Sequence, residues 1–351
     1  MLASCASLPA EPGPEAPEPL PPGRHAVLAL GPPARPVGFR KTLVSEDGDA
    51  AIFRVDLVAE PDGIEPIVSF EWHEPSRAAP PWPGVVVSPI LKGGYVLEHW
   101  VAGVLAGEGI AVAIPLHTED PLPTIASPED LGEEFLRSVR AARAVVDWMA
   151  ARETVDPTRL GSVGTSLGAL RNVVLLAGEP RLRANLLALG GLDVAWVFDH
   201  SREASVARYR RERAALEGID PALLSARFRD AFWFHDEKTA RAVDGRTVLL
   251  ILARFDSAIP IESGMALRNA LGRPETRVLP LAHYSSLLAL PAIRVWMVEF
   301  FRRRFGSARA DRSRTAPRRP RAASHARGRS RGPRGSRRPP PMSMKGAWAL
   351  L

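Results

Sequence analysis

The hydrophobic pattern changes character along the chain. Three runs near the start, Phe39 to Ser45, Ala51 to Ala59 and Pro66 to Glu74, have strand composition. The turn signals Asp47-Gly48 and Asp62-Gly63 part them, which predicts an antiparallel entry to a sheet. Beyond a Pro-rich loop at Ala79 to Pro83 the strands become continuous apolar runs: Gly84 to Ser88, Ile110 to Ile114, Leu160 to Gly164, Ala184 to Gly191 and Arg246 to Ala253. A strand without alternation is covered on both faces, as in a parallel sheet. A further short run, Thr276 to Pro280, has the same strand character.

Segments of helical period lie between these runs. Tyr95 to Ala106 stops at Gly107 and Gly109. Ser127-Pro128-Glu129-Asp130 opens a second helix with a capping serine, proline at the first position and acids in the first turn. Leu131, Phe135, Val139, Ala142, Val146 and Met149 then mark one face of it, and Asp156-Pro157 is expected to break the chain before the next strand. Leu290-Pro291 precedes a closing amphipathic helix through Ile293, Trp296, Met297, Phe300 and Phe301. Strands alternating with helices predict an α/β architecture: a mostly parallel twisted sheet with helices on both faces.

The stretch Gly164-Thr165-Ser166-Leu167-Gly168 ends one apolar strand and passes directly into the helix-compatible run Leu167 to Ala177. A serine at the apex of so sharp a turn needs small neighbours, and glycines two positions away on each side meet that steric requirement. Ser166 is therefore the candidate nucleophile. A hydroxyl at its ordinary pKa needs a base, and the base needs a group that holds it in one tautomer. Asp256 follows the strand 246–253 and His283 follows the strand 276–280, so acid and base are available in that order. Asp193 and Asp199, also beyond a strand end, compete for the acid role.

This order of nucleophile, acid and histidine resembles the α/β-hydrolase superfamily, and the layout is similar to dienelactone-hydrolase-like and prolyl-oligopeptidase-like esterases over about Phe39 to Phe305. The resemblance implies an α/β-hydrolase fold, a serine hydrolase cleaving a carboxylic ester through an acyl-enzyme on Ser166, and no cofactor and no metal. It also implies an oxyanion hole of backbone N–H groups from Leu167 and from the loop after Gly84 to Ser88. The family usually has His-Gly where this chain has Ser88-Pro89. Pro89 carries no N–H, so the second donor is Ile90 or Leu91. An amidase or peptidase of the same fold needs the same residues and remains the alternative.

Residues 193–245 form an insertion longer than a normal connection, expected to be a helical lid. Its aromatics, among them Trp196, Phe198, Phe232 and Trp233, would line an acyl pocket or fasten the lid to the body. Lys92 in the oxyanion loop would meet an acidic substrate or solvent. His117, Glu119 and Asp120 lack the fixed spacing of a metal site.

Charge separates the ends from this body. The chain has a net charge of +7, but residues 307–351 alone carry twelve Arg and one Lys against one Asp, so the remainder is mildly acidic. That tail, rich in Arg, Pro, Ser and Gly, cannot form a core and would bind phosphates of nucleic acid or anionic lipid without specificity. Residues 1–38 are Pro-rich, and Leu2-Ala3-Ser4-Cys5 resembles a lipobox around the single cysteine. A signal segment upstream of Met1 would make Cys5 a lipid anchor and place the protein in the cell envelope; without one the match is accidental and the expected location is the cytoplasm. A non-catalytic surface lipoprotein with an anion-binding tail is the reading from another class. No stretch is expected to span a membrane.

Overall fold

The computed structural model describes residues 6–8, 17–20, 38–59, 65–91, 94–116, 123 and 125–306. Cys5, Lys92, His117, Glu119, Asp120 and the tail 307–351 lie outside the described residues. The first strands are β1 (Ala6–Leu8), β2 (Gly38–Asp47), β3 (Ala50–Val58), β4 (Val68–Pro75) and β5 (Trp82–Ser88). Then follow α1 (Val96–Gly107), β6 (Ala111–Pro115), α2 (Pro128–Ala150), β7 (Val155–Thr165), α3 (Leu167–Gly178) and β8 (Leu182–Ala188). The insertion supplies α4 (Val194–His200), α5 (Ala204–Glu217), α6 (Pro221–Ala231) and α7 (Glu237–Arg241). The chain closes with β9 (Val248–Ala253), α8 (Ile261–Ala270), β10 (Glu275–Leu279) and α9 (Leu290–Phe305), where the compact unit ends.

Among the described residues these strands form one sheet in the order β1-β10-β9-β8-β7-β5-β6-β4-β3-β2. The run from β10 to β6 is parallel, and β4, β3 and β2 join antiparallel, as the change in hydrophobic pattern predicts. β5 and β6 are buried at every position, which accounts for their unbroken apolar sequence. Because β5 lies between β6 and β7, successive crossovers leave it in opposite directions. That makes the carboxyl ends of β5 and β7 a topological switch point, the place where an open α/β sheet has a crevice.

Two apolar layers cover the sheet. On one face Leu131, Phe135, Val139 and Met149 of α2 pack with Val173 and Val174 of α3, and the lid continues the same cluster. On the other face Val101 and Leu105 of α1 meet Met297, Phe300 and Phe301 of α9. The capping box at Ser127 and Asp130 starts α2 where the sequence expects it.

Several expectations need correction. Asp156-Pro157 does not end the chain before the nucleophile strand; β7 begins at Val155 and runs through both residues, with its pairing to β5 irregular at that point. β8 stops at Ala188 because Leu189 turns to φ 52°, so the strand does not extend to Gly191. The N-terminal segment also contributes structure: β1 adds antiparallel to β10, and Glu18 bonds Arg241 of α7 through both its backbone N–H and its carboxylate. By length and mean hydropathy Tyr284–Phe305 meets the test for a membrane span, contrary to expectation. Its apolar side chains Met297, Phe300, Phe301 and Phe305 are nevertheless core residues here.

The lid is held by buried polar and aromatic contacts. Tyr209 donates to the Ala126 carbonyl at 2.8 Å, and Phe198, Phe228 and Phe232 stack in series with centroids 3.8 and 4.5 Å apart. His235 is buried, with Nε2 2.9 Å from the Leu170 carbonyl, so the ring must carry its proton on Nε2. Burial pulls its pKa below the ordinary histidine range, while the Leu170 carbonyl and the nearby Asp193 and Asp236 push the other way. Above pH ~6.5 the ring is neutral folded or unfolded and contributes no pH dependence. Below that, the unfolded chain takes the proton first, so this group lowers stability as pH falls, by up to about 1.4 kcal/mol per pH unit. His235→Gln, which keeps the donor to Leu170, should therefore flatten the stability curve between about pH 6.5 and 5. Denaturant midpoints measured across that window for both proteins check it; parallel curves would refute it.

Candidate active site

The nucleophile turn is built by close approach. Ser166 follows β7 with φ 53° and ψ −120°, a conformation L-residues rarely adopt, and it is fixed there by its N–H donating to the Ala188 carbonyl at 2.9 Å. A side chain at Gly164 would meet the Gly168 carbonyl and the Asn172 amide, and one at Gly168 would run into the carbonyl of Ser88. The two glycines thus let α3 press its first turn against the end of β5. Ser88, in place of the usual histidine, is used inside this contact: its hydroxyl donates to Asn172 Oδ1 at 2.6 Å.

Ser166, His283 and Asp256 converge although they are far apart in the chain. His283 Nε2 lies 3.0 Å from Ser166 Oγ, and His283 Nδ1 lies 2.7 Å from Asp256 Oδ2. The other Asp256 oxygen accepts the N–H groups of Ala258 and Ile259 at 2.9 and 2.8 Å, so the carboxylate is aimed at the ring and cannot rotate freely. The histidine loop is held in turn by the Ser286 hydroxyl donating to the Ala282 carbonyl at 2.8 Å. The competing acids are occupied elsewhere. Asp193 caps α4 by accepting the Trp196 N–H at 3.0 Å, and Asp199 accepts the Ser225 hydroxyl at 2.6 Å.

The two oxyanion alternatives also separate. The Ile90 N–H donates to Glu98 Oε1 at 2.7 Å, whereas Leu91 and Leu167 line the cavity that contains Ser166. Burial pushes the Glu98 carboxyl above the ordinary carboxylate range, against the Ile90 N–H, which pulls it down. Glu98 lies on α1, so that helix fixes the loop after β5.

A cavity of about 130 Å³ opens at Ser166, walled by Leu91, Leu167, Val194, Phe198, Phe232 and Ile259. Of the aromatics singled out in the sequence, Phe198 and Phe232 line it. Trp196 and Trp233 do not: Trp196 stacks on His200 at 3.9 Å, and Trp233 is 41% exposed. Charged groups also reach the wall. Glu203 hydrogen-bonds the Tyr284 hydroxyl at 2.6 Å, tying the lid to the histidine loop, and the Arg202 N–H donates to the Ser257 carbonyl at 2.7 Å, tying it to the acid loop. Arg171, from α3, is buried beside Glu134; desolvation brings its guanidinium down to about 10 while Glu134 opposes the shift. The period of α3 alone does not distinguish Arg171 from a surface arginine, so nothing in the sequence marks it as buried.

No protein-family model matches the chain, and no curated protein matches it either. Solved structures do. Acetyl xylan esterase 1 from Thermoanaerobacterium sp. JW/SL YS485 superposes with a TM-score of 0.58 at 15% identity, over 80% of this chain and 95% of that one. An acetyl xylan esterase from Paenibacillus sp. R4 gives 0.57 at 16% identity, over 79% and 92%. A methylesterase gives 0.52 at 16% identity over 81% of this chain, which spans 61% of that longer one. Taken with the strand order and the turn at Ser166, these likenesses place the chain in the α/β-hydrolase fold.

Proposed function

We propose that the protein hydrolyses carboxylic esters with short acyl groups by a serine acyl-enzyme mechanism. The observation that carries this reading is the continuous relay from Ser166 Oγ through both ring nitrogens of His283 to Asp256. With Nδ1–H donating to Asp256, Nε2 is the unprotonated nitrogen and takes the serine proton as Oγ attacks the carbonyl carbon. The C–O π pair moves onto the carbonyl oxygen, where the N–H groups of Leu167 and Leu91 face the developing charge. Collapse expels the alcohol, which takes the proton from His283, and water then attacks the acyl-serine by the same route in reverse.

The wall supports the choice of acyl group. A cavity of about 130 Å³ is slightly smaller than the roughly 150 Å³ apolar cavity that holds a benzene. Acetyl to butyryl groups fit such a volume; a long chain would have to displace the stacked Phe198, Phe228 and Phe232. The acetyl xylan esterases among the structural neighbours are named for an acyl group of this size.

The triad is tested by substitution. Ser166→Ala and His283→Ala should each remove nearly all turnover of a small chromogenic ester, and the pair together should lose little more, since the groups act as one unit. Asp256→Asn should cost roughly 10³- to 10⁴-fold in kcat, whereas Asp193→Asn, which retains a cap, should remain near wild type. Full activity of Ser166→Ala would end the hydrolase reading, and collapse of Asp193→Asn with an unaffected Asp256→Asn would move the acid to the earlier strand. Acyl preference is tested separately with p-nitrophenyl esters of graded length. The expected result is kcat/KM at least about tenfold lower for decanoate than for butyrate, equal to some 1.4 kcal/mol. Undiminished activity on decanoate would show that the pocket does not set the limit.

A further inference from the structure

On the opposite side of the sheet from the lid, Glu71 and His73 lie two residues apart on β4, so both point to the face covered by α1. His99, on the first turn of that helix, reaches down to them. His99 Nε2 is 2.7 Å and His73 Nε2 is 3.4 Å from the same carboxylate oxygen, Glu71 Oε2, and the three ligand atoms lie within 4.8 Å of one another. His73 is only 3% exposed, and its Nε2 is buried without a hydrogen-bond partner although it is directed at the cluster. A buried ring nitrogen left unsatisfied is costly, and nothing in the proposed esterase chemistry uses it.

We propose that Glu71, His73 and His99 form a binding site for a divalent transition ion of the zinc type, which clamps α1 to β4. Two imidazoles and one carboxylate are a zinc ligand set, with a fourth position for water. In a tetrahedral site with bonds of about 2.1 Å, neighbouring ligand atoms are ~3.4 Å apart. The His73 to Glu71 separation already has that value. The His99 to Glu71 contact must open by about 0.7 Å, and the His99 side chain, 46% exposed, has the freedom to do so and leaves a route from solvent. Arg54, the residue opposite Glu71 on β3, is engaged by Asp56 and Ser69, while the Glu71 carboxylate faces the two imidazoles.

The clamp would act on the oxyanion loop without touching substrate. α1 carries both His99 and Glu98, and Glu98 holds the Ile90 N–H, so fixing the first turn of α1 to β4 fixes that loop.

The test reads binding on the whole chain and does not depend on the esterase reading. Metal-free protein is titrated with Zn²⁺ against a chromophoric chelator and with Co²⁺ by visible absorption, with thermal unfolding followed in parallel. One Zn²⁺ per chain, Co²⁺ bands of a low-coordinate nitrogen and oxygen site, and a raised Tm are expected. His99→Ala and Glu71→Gln should each weaken Zn²⁺ binding by at least about 100-fold, beyond the roughly 10- to 100-fold that loss of a supporting residue costs. His200→Ala, remote from the cluster, should bind as the parent does. His73→Ala risks the fold because the ring is buried, so the half-exposed His99 carries the decision. Absence of stoichiometric binding, or binding unchanged by His99→Ala and Glu71→Gln, overturns the proposal.

Discussion

The arrangement depends on how closely α3 can approach the end of β5. With hydrogens in place of side chains at Gly164 and Gly168, the helix starts against the Ser88 carbonyl, and Ser166 has nowhere to go except the apex of the turn at φ 53°. Backbone strain of this kind costs on the order of 1–3 kcal/mol and persists only where the surroundings over-determine it. Here they do so from three sides: the Ser166 N–H is held by Ala188, the helix is buried along Val173 and Val174, and Asn172 is anchored to Ser88. Leu167, the first residue of that helix, and Leu91, from the loop after β5, both line the cavity at Ser166.

Sheet order supplies the rest of the geometry. Since β5 separates β6 from β7, the loops after β5 and β7 diverge at the switch point, while β8, β9 and β10 present their own carboxyl-terminal loops in sequence along the same edge. Asp256 and His283 thus arrive from the loops after β9 and β10 at one side of Ser166. The lid enters between β8 and β9, and its two polar ties reach the loops that carry Asp256 and His283. The lid is thereby joined to the loops of Asp256 and His283 as well as to the pocket wall.

Much of this was legible in the sequence because each signal had a local cause. The elbow could be read since only glycine fits there, the α2 start since Ser127 and Asp130 cap reciprocally, and the buried strands since they lack alternation. What escaped was decided by distant contacts. Trp196 and Phe198 are two residues apart on one helix, yet Phe198 faces the serine and Trp196 turns outward onto His200, a difference set by how α4 docks. The choice between Ile90 and Leu91 turned on Glu98, whose helix had no visible reason to reach back to that loop. The hydrophobic pattern places Glu71 and His73 in an ordinary strand, and no spacing rule links them to His99, because the link is made by the packing of α1 on that face of the sheet.

Two of these, the choice between Ile90 and Leu91 and the link from Glu71 and His73 to His99, share a physical origin in α1 and its loop. A carboxyl group buried on the first turn of a helix is expensive unless it is used, and Glu98 is used to take up the Ile90 N–H. In the proposed mechanism this leaves Leu91 of the β5 loop and Leu167 of α3 as the two donors. Under that proposal the hole tolerates Ser88-Pro89 where the resemblance implies His-Gly. The proline removes one N–H, Glu98 removes the next from contention, and Leu91 is brought to the cavity wall by a loop whose position is set on the far side of the sheet.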